Sequence, residues 1–112
     1  MKKLEAIIRE EKLDGVRKVL EQNGYYGLTI TEVSGRGRQG GLSLQWRVGE
    51  YRIDFLPKVK IEVVVLDEDV PRILNAITTS ARTGEIGDGK IFVIPVENAI
   101  RVRTGEHGVN AI

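Results

Sequence analysis

Apolar and polar positions alternate along this chain with two different periods. Leu4 to Ile8 is a short aliphatic stretch that reads as a strand. Leu13, Val16, Val19 and Leu20 then recur at helical spacing with charges between them. Asn23-Gly24 closes that helix, because both residues tolerate the left-handed geometry of a helix end. Leu28 to Val33 is mostly β-branched and predicts a second strand, and Val59 to Leu66 a third. Val70, Ile73, Leu74 and Ile77 mark a second helix, with Asp69 as its N-cap and Pro71 in its first turn. Ile91 to Ile94 predicts a fourth strand ended by Pro95, and Ile100 to Arg103 a further extended piece.

The predicted order is β-α-β followed by β-α-β. Each half can be one split βαβ unit, which makes the fold class α+β: a ferredoxin-like sandwich with four strands and two helices on one face. One segment exceeds that plan. Between Val33 and Val59, residues at about 36–56 carry no apolar periodicity sufficient for a core element. Loops beyond about 12–15 residues are uncommon in compact domains and lean towards function. This one opens Gly35-Arg36-Gly37-Arg38-Gln39-Gly40-Gly41 and ends near Phe55. Leu42 to Arg47 alternates loosely, as a transient ribbon would, and Tyr51 is an aromatic with charged neighbours. A dispensable insertion and an unrecognised β-hairpin are the plainer readings of the same residues.

Composition narrows the class. A length of 112 residues suits one domain, and 41% hydrophobic with 29% charged residues suits a folded globule. The net charge of +1 argues against a bulk electrostatic grip on nucleic acid. With no cysteine, the chain has no disulfide, thiolate metal site or cysteine nucleophile. The start is too short in apolar residues for a signal peptide, and no apolar run approaches the roughly 18 residues of a span. The expectation is a cytoplasmic protein without membrane insertion.

Two phosphate motifs are matched in form only. Gly35-x-Gly37-x-x-Gly40 copies the dinucleotide fingerprint, but no helical start follows it. Gly84-Glu85-Ile86-Gly87-Asp88-Gly89-Lys90 copies a P-loop, but Ile91 stands where Ser or Thr would hold magnesium, and the helix precedes rather than follows. The chemistry beneath them is still informative. Gly87 to Lys90 offers a glycine-rich turn beside an ammonium, and Arg101 and Arg103 would project from one face of an extended segment. These residues suit a phosphate cradle, and equally a glycine-rich turn with solvated arginines. Lys58 can meet an anionic ligand or be an ordinary lysine at a strand start. Glu62 and Val64 share a strand face with Lys60, opposite Ile61, Val63 and Val65, so Glu62 points outward or into a cleft. Thr29 is by type a routine β-former. The lone histidine, His107, has no Cys or second His for a metal, and no catalytic triad or carboxylate pair is apparent.

Three segments carry a more specific signal: Thr29-Ile30-Thr31-Glu32-Val33-Ser34-Gly35-Arg36-Gly37-Arg38-Gln39, Tyr51-Arg52-Ile53-Asp54-Phe55-Leu56-Pro57-Lys58-Val59-Lys60-Ile61-Glu62, and Thr83-Gly84-Glu85-Ile86-Gly87-Asp88-Gly89-Lys90-Ile91-Phe92-Val93. With Arg101-Val102-Arg103-Thr104-Gly105-Glu106, they resemble the PII nitrogen-regulatory signalling proteins over nearly the whole chain. The resemblance implies a single domain over residues 1–112, assembled as a homotrimer. It also implies a non-enzymatic regulator with ATP or ADP bound in clefts between subunits. Gly87, Asp88, Gly89 and Lys90 would wrap the phosphates, with Gly37, Arg38, Arg101 and Arg103. Thr29, Glu62 and Val64 would line the adenine and ribose end. Gln39 would help ligate Mg²⁺ in the ATP complex, and 2-oxoglutarate would chelate that ion and meet Lys58 and backbone donors near Gly37 and Gly41. The long loop would be the family's T-loop, changing shape with ligand and presenting itself to an ammonium transporter or to enzymes and regulators of nitrogen metabolism.

The chain departs from the family inside that loop. Trp46-Arg47-Val48-Gly49-Glu50-Tyr51 replaces a common Tyr-Arg-Gly-Ala-Glu-Tyr, so Tyr51 matches a uridylylated position with altered flanks. Gly49 removes a serine that some relatives phosphorylate, and Gly40 removes a frequent lysine. The rival classes are a metal-binding or scaffolding trimer of the same topology and an RNA-binding module. The latter needs sheet aromatics, and aromatics are 5% of this chain.

Overall fold

The computed structural model describes residues 1–35 and 56–112. The predicted loop, including Gly37, Arg38, Gln39, Gly40, Gly41, the ribbon at 42–47 and Tyr51, lies outside the described residues. In chain order the elements are β1 (Lys2–Arg9), α1 (Leu13–Gln22), β2 (Thr29–Gly35), β3 (Leu56–Val65), α2 (Val70–Ala81) and β4 (Gly89–Pro95). The strands form one sheet in the order β2-β3-β1-β4, with every neighbouring pair antiparallel. The fold is α+β and ferredoxin-like, as the element order predicts.

The core follows from strand alternation. Leu4, Ala6 and Ile8 of β1 and Val59, Ile61, Val63 and Val65 of β3 are buried on one face. Val16 and Leu20 of α1 and Ile73, Ile77 and Ala81 of α2 cover them. The opposite face carries Lys3, Glu5 and Ile7 on β1, Lys58, Lys60, Glu62 and Val64 on β3, and Lys90, Phe92 and Ile94 on β4.

Helix α1 ends in a tight cap. Gly24 has φ +88°, its N–H donates to Glu21 O at 3.0 Å, and Tyr25 N–H donates to Leu20 O at 2.9 Å. That is the Schellman pairing of the last turn. It turns Tyr25 back onto the core.

Several boundaries differ from the sequence expectation. β3 starts at Leu56 rather than Val59, so Pro57 lies within a strand. β1 stops pairing at Arg9↔Lys58, so no β1 residue stands opposite Pro57 to require an N–H. β2 and β3 pair as far as Gly35↔Leu56, so the described residues on either side of 36–55 stand opposite each other. Asp69 stands at the α2 N-cap position, but its carboxylate makes no cap hydrogen bond. A short 3-10 turn over Asp67–Asp69 already leads into the helix, and the Asp69 side chain is engaged elsewhere. The tail is not extended from Ile100 to Arg103: Ile100 bridges His107, and Gly105 N–H donates to Arg101 O at 2.8 Å, folding 101–106 into a turn.

Truncating Ile61, fully buried in a central strand, is expected to cost about 2–5 kcal/mol of unfolding free energy. Val102, which is 98% exposed, should change stability by less than about 0.5 kcal/mol on substitution by Ala. Urea unfolding of Ile61→Ala and Val102→Ala measures both.

Candidate functional site

The connection from α2 to β4 closes around one carboxylate. Asp88 Oδ2 accepts the backbone N–H groups of Thr83 at 2.9 Å and Gly84 at 2.8 Å. Its Oδ1 accepts the Thr83 hydroxyl and Arg9 Nε, the latter at 3.0 Å. Arg9 reaches in from the end of β1 and also donates from Nη2 to the Ile86 carbonyl at 2.9 Å. The Thr83 hydroxyl above all, then the two N–H groups and Arg9, hold the Asp88 carboxyl well below the usual carboxylate range, against the cost of desolvation. Asp88 is thus committed inside the loop. What the loop offers outward is its backbone and Lys90.

Gly89 seats this loop on the sheet. Its φ is +98°, and a Cβ there would lie 1.8 Å from the Ile7 carbonyl oxygen. Lys58, half-buried on β3, donates from Nζ to the Gly87 carbonyl. Burial first, and the Arg9 guanidinium second, push its ammonium pKa down. Lys58, Gly87, Gly89 and Arg9 therefore converge at one end of the sheet, where Lys58 pairs with Arg9 and Gly89 with Ile8. An exposed ammonium at Lys90, one at Lys58 and a glycine-rich backbone make this end suited to an anion.

A second concavity, of about 800 Å³, lies towards the other end. Thr29, Glu62 and Val64 line it together with the Gly24–Gly27 turn, Leu66, Asp69 and Arg101. Glu62 is paired with Lys3 at 3.1 Å and Lys60 at 3.9 Å. Leu66 N–H donates to the Tyr25 hydroxyl, so it points towards the β2 side of β3. By strand alternation Val64 turns its own N–H and C=O to that same edge. β2 begins only at Thr29, opposite Glu62, so the Val64 edge opens into the cleft. It offers one donor and one acceptor to a planar, hydrogen-bonding ring.

The structure thus brings together Thr29, Glu62, Val64 and Arg101 in one place, and Gly87, Gly89, Lys90 and Lys58 in another. Val64 pairs with Lys3, whereas Gly89 pairs with Ile8. The two rows are five residues apart on β1, or about 17 Å at strand rise. They also sit on strands that flank β1 from opposite sides. Arg101 is half-buried with its guanidinium 3.7 Å from Glu106, and Arg103 is exposed and lies apart from the cleft lining. Because the tail turns at 102–104, the two arginines do not share a strand face. Arg9 and Thr83 are functional supports that sequence reasoning did not assign. Arg9 and Asp88 are 79 residues apart in sequence, and nothing local joins them. Among the described residues, no cluster of three or more His, Cys, Asp or Glu could hold a metal, and no helix is long and apolar enough to cross a membrane.

A family model described as "Nitrogen regulatory protein P-II" matches residues 1–106. The chain is 58% identical over 112 residues to "Nitrogen regulatory protein P-II" of Haemophilus influenzae, covering 100% of both chains. It is 56% identical over 112 residues to the protein of the same name from Pasteurella multocida, again covering 100% of both. It is 54% identical over 112 residues to "Nitrogen regulatory protein P-II 2" of Methanothermobacter thermautotrophicus, covering 100% of this chain and 97% of the relative.

Gly89→Ala is expected to destabilise the fold by more than about 3 kcal/mol, because backbone must move to admit the methyl group. At Gly24, with nothing within 4 Å of an added Cβ, only the left-handed backbone penalises alanine, by about 1–2 kcal/mol. Denaturant unfolding of the two variants checks the order. Asp88 adds a pH signature. Its carboxyl titrates lower folded than unfolded, so its contribution is complete above the unfolded value of about 4 and is lost as pH falls below it. Asp88→Asn should therefore be less stable than wild type at pH 7, and the gap should shrink by pH 3.

Proposed function

The chain belongs to the nitrogen regulatory protein P-II family, and from that premise we propose that it binds ATP or ADP between copies of itself and regulates partners through the 36–55 segment. One observation carries the reading. The residues suited to phosphate and those suited to a base sit at opposite ends of one sheet, and only the latter line the concavity of about 800 Å³. A second copy is needed to bring one end of one chain against the other end of the next. The helix-free sheet face, with Phe92 46% and Ile94 36% exposed, is the apolar surface such an assembly would cover. A head-to-tail ring closing as a homotrimer gives three equivalent clefts.

In each cleft, Gly87, Gly89 and Lys90 of one copy hold the phosphates, joined by Gly37 and Arg38. Asp88 keeps their loop in shape through its internal hydrogen bonds. Thr29, Glu62 and Val64 of the neighbour take adenine and ribose, and its Arg101 and Arg103 reach towards phosphate. Gln39 would hold the Mg²⁺ that accompanies ATP, and that ion would supply positive charge for the keto acid of 2-oxoglutarate, with Lys58 and backbone near Gly37 and Gly41 left to take the distal carboxylate. Lys58 is half-buried and already beside the Gly87 carbonyl, so a carboxylate there meets an ammonium that has lost much of its water. Gln39 and Lys58 flank the two ends of the 36–55 segment, so ligand at its base selects among segment shapes. The partner is an ammonium transporter or an enzyme or regulator of nitrogen assimilation, met in the cytoplasm, with Tyr51 as the position open to modification. No hydrolysis is required.

Calorimetric titration of ATP and ADP, with and without Mg²⁺ and 2-oxoglutarate, tests the reading. Heat with either nucleotide is expected, with 2-oxoglutarate binding only when Mg²⁺ and ATP are present. No heat at millimolar nucleotide would overturn the proposal. Arg103→Ala should weaken ATP by about 1–3 kcal/mol, the size of a lost charge-assisted contact.

A further inference from the structure

Tyr25 joins three of the elements around the base cleft: the end of α1, the end of β3 and the start of α2. Its backbone N–H completes the α1 cap on Leu20 O at 2.9 Å, which fixes where the Gly24–Gly27 wall begins. Its hydroxyl accepts the Leu66 N–H at 3.1 Å at the end of β3 and donates to Asp69 Oδ2 at the start of α2. Asp69 is steadied in turn by Arg72, 3.0 Å from its other oxygen, and Arg72 also donates from Nη1 to the Asn23 carbonyl at 3.3 Å. A ring of hydrogen bonds therefore ties the wall at 23–27 to the strand edge at 64–66.

The hydroxyl also changes what that edge displays. On the β2 side beyond Thr29, the free main-chain groups in order are Val64 N–H, Val64 C=O and Leu66 N–H. Tyr25 covers the last of these. What remains is a single donor–acceptor pair. That pattern complements a ring edge with one acceptor beside one amino donor, as in adenine. The Watson–Crick edge of guanine has one acceptor beside two donors and needs a different set.

We infer that Tyr25 is a positioning residue that sets base selectivity in this cleft, by holding the Val64 donor–acceptor edge in register with the Gly24–Gly27 wall. The inference rests on the reading of the cleft as the base half of a nucleotide site. Tyr25→Phe keeps the ring and its core packing and removes only the hydroxyl. Competition binding of ATP and GTP to the assembled full-length protein separates the possibilities. ATP affinity should fall about five- to tenfold, the scale of one lost hydrogen bond. GTP affinity should change by less than about twofold, so that the ATP-over-GTP preference narrows. Asp69→Ala, which removes the acceptor of the Tyr25 hydroxyl, should narrow it in the same direction. If both variants weaken ATP and GTP by equal factors, or leave ATP unchanged, Tyr25 is a packing residue only and the inference fails while the nucleotide reading stands. If the wild-type protein binds neither nucleotide, both fail together.

Discussion

The two central strands admit only two destinations for their side chains, and the whole molecule is arranged around that choice. In β1 and β3, Leu4, Ala6, Ile8, Val59, Ile61, Val63 and Val65 go to one side and are covered by both helices. Lys3, Glu5, Lys60 and Glu62 go to the other, where Lys3 bridges Glu5 and Glu62. A one-residue slip in the β1–β3 register would put lysines and glutamates into the core. The register is therefore tightly held, and with it the positions of Lys58 at one end of β3 and Val64 at the other.

That register spreads the binding chemistry. The turn leading into β4 is shaped by Asp88, Arg9 and Thr83, and Gly89 lies too close to the Ile7 carbonyl for any other residue. The far cleft is shaped by the α1 cap and by Tyr25. Each half is held by its own set of contacts. In the proposed assembly, dividing the site between copies makes ligand binding report on the assembled state, with Lys58 close to the foot of the connection between β2 and β3. The pairing Gly35↔Leu56 brings the two ends of that connection to adjacent strands.

How much of this could be read from the chain depends on how local its cause is. The strands and helices were legible because alternation and helical spacing are local patterns. So was the face of Glu62, which follows from its parity with Ile61. The tail pattern suggests an extended piece, yet it folds into a turn. Thr104-Gly105-Glu106 held the turn signal: the Thr104 hydroxyl accepts the Glu106 N–H at 3.2 Å, and Gly105 has φ +74°. Asp-Val-Pro is a local cap pattern, but Tyr25, 44 residues away, takes the Asp69 carboxylate. The resemblance places Asp88 in the phosphate turn, and its partner Arg9 lies at the far end of the chain. The supports of the site are long-range pairs, which no window of sequence displays.

The proposed nucleotide site draws on opposite ends of two copies. Mixing two defective variants tests it directly. Lys90→Ala damages one end and Arg101→Ala the other, and each homogeneous protein should bind ATP poorly. When the two are unfolded together in equal amounts and refolded, random assembly into a head-to-tail ring should pair intact ends at about a quarter of the sites, restoring that fraction of tight binding. A mixture that binds ATP no better than either variant alone would contradict the account.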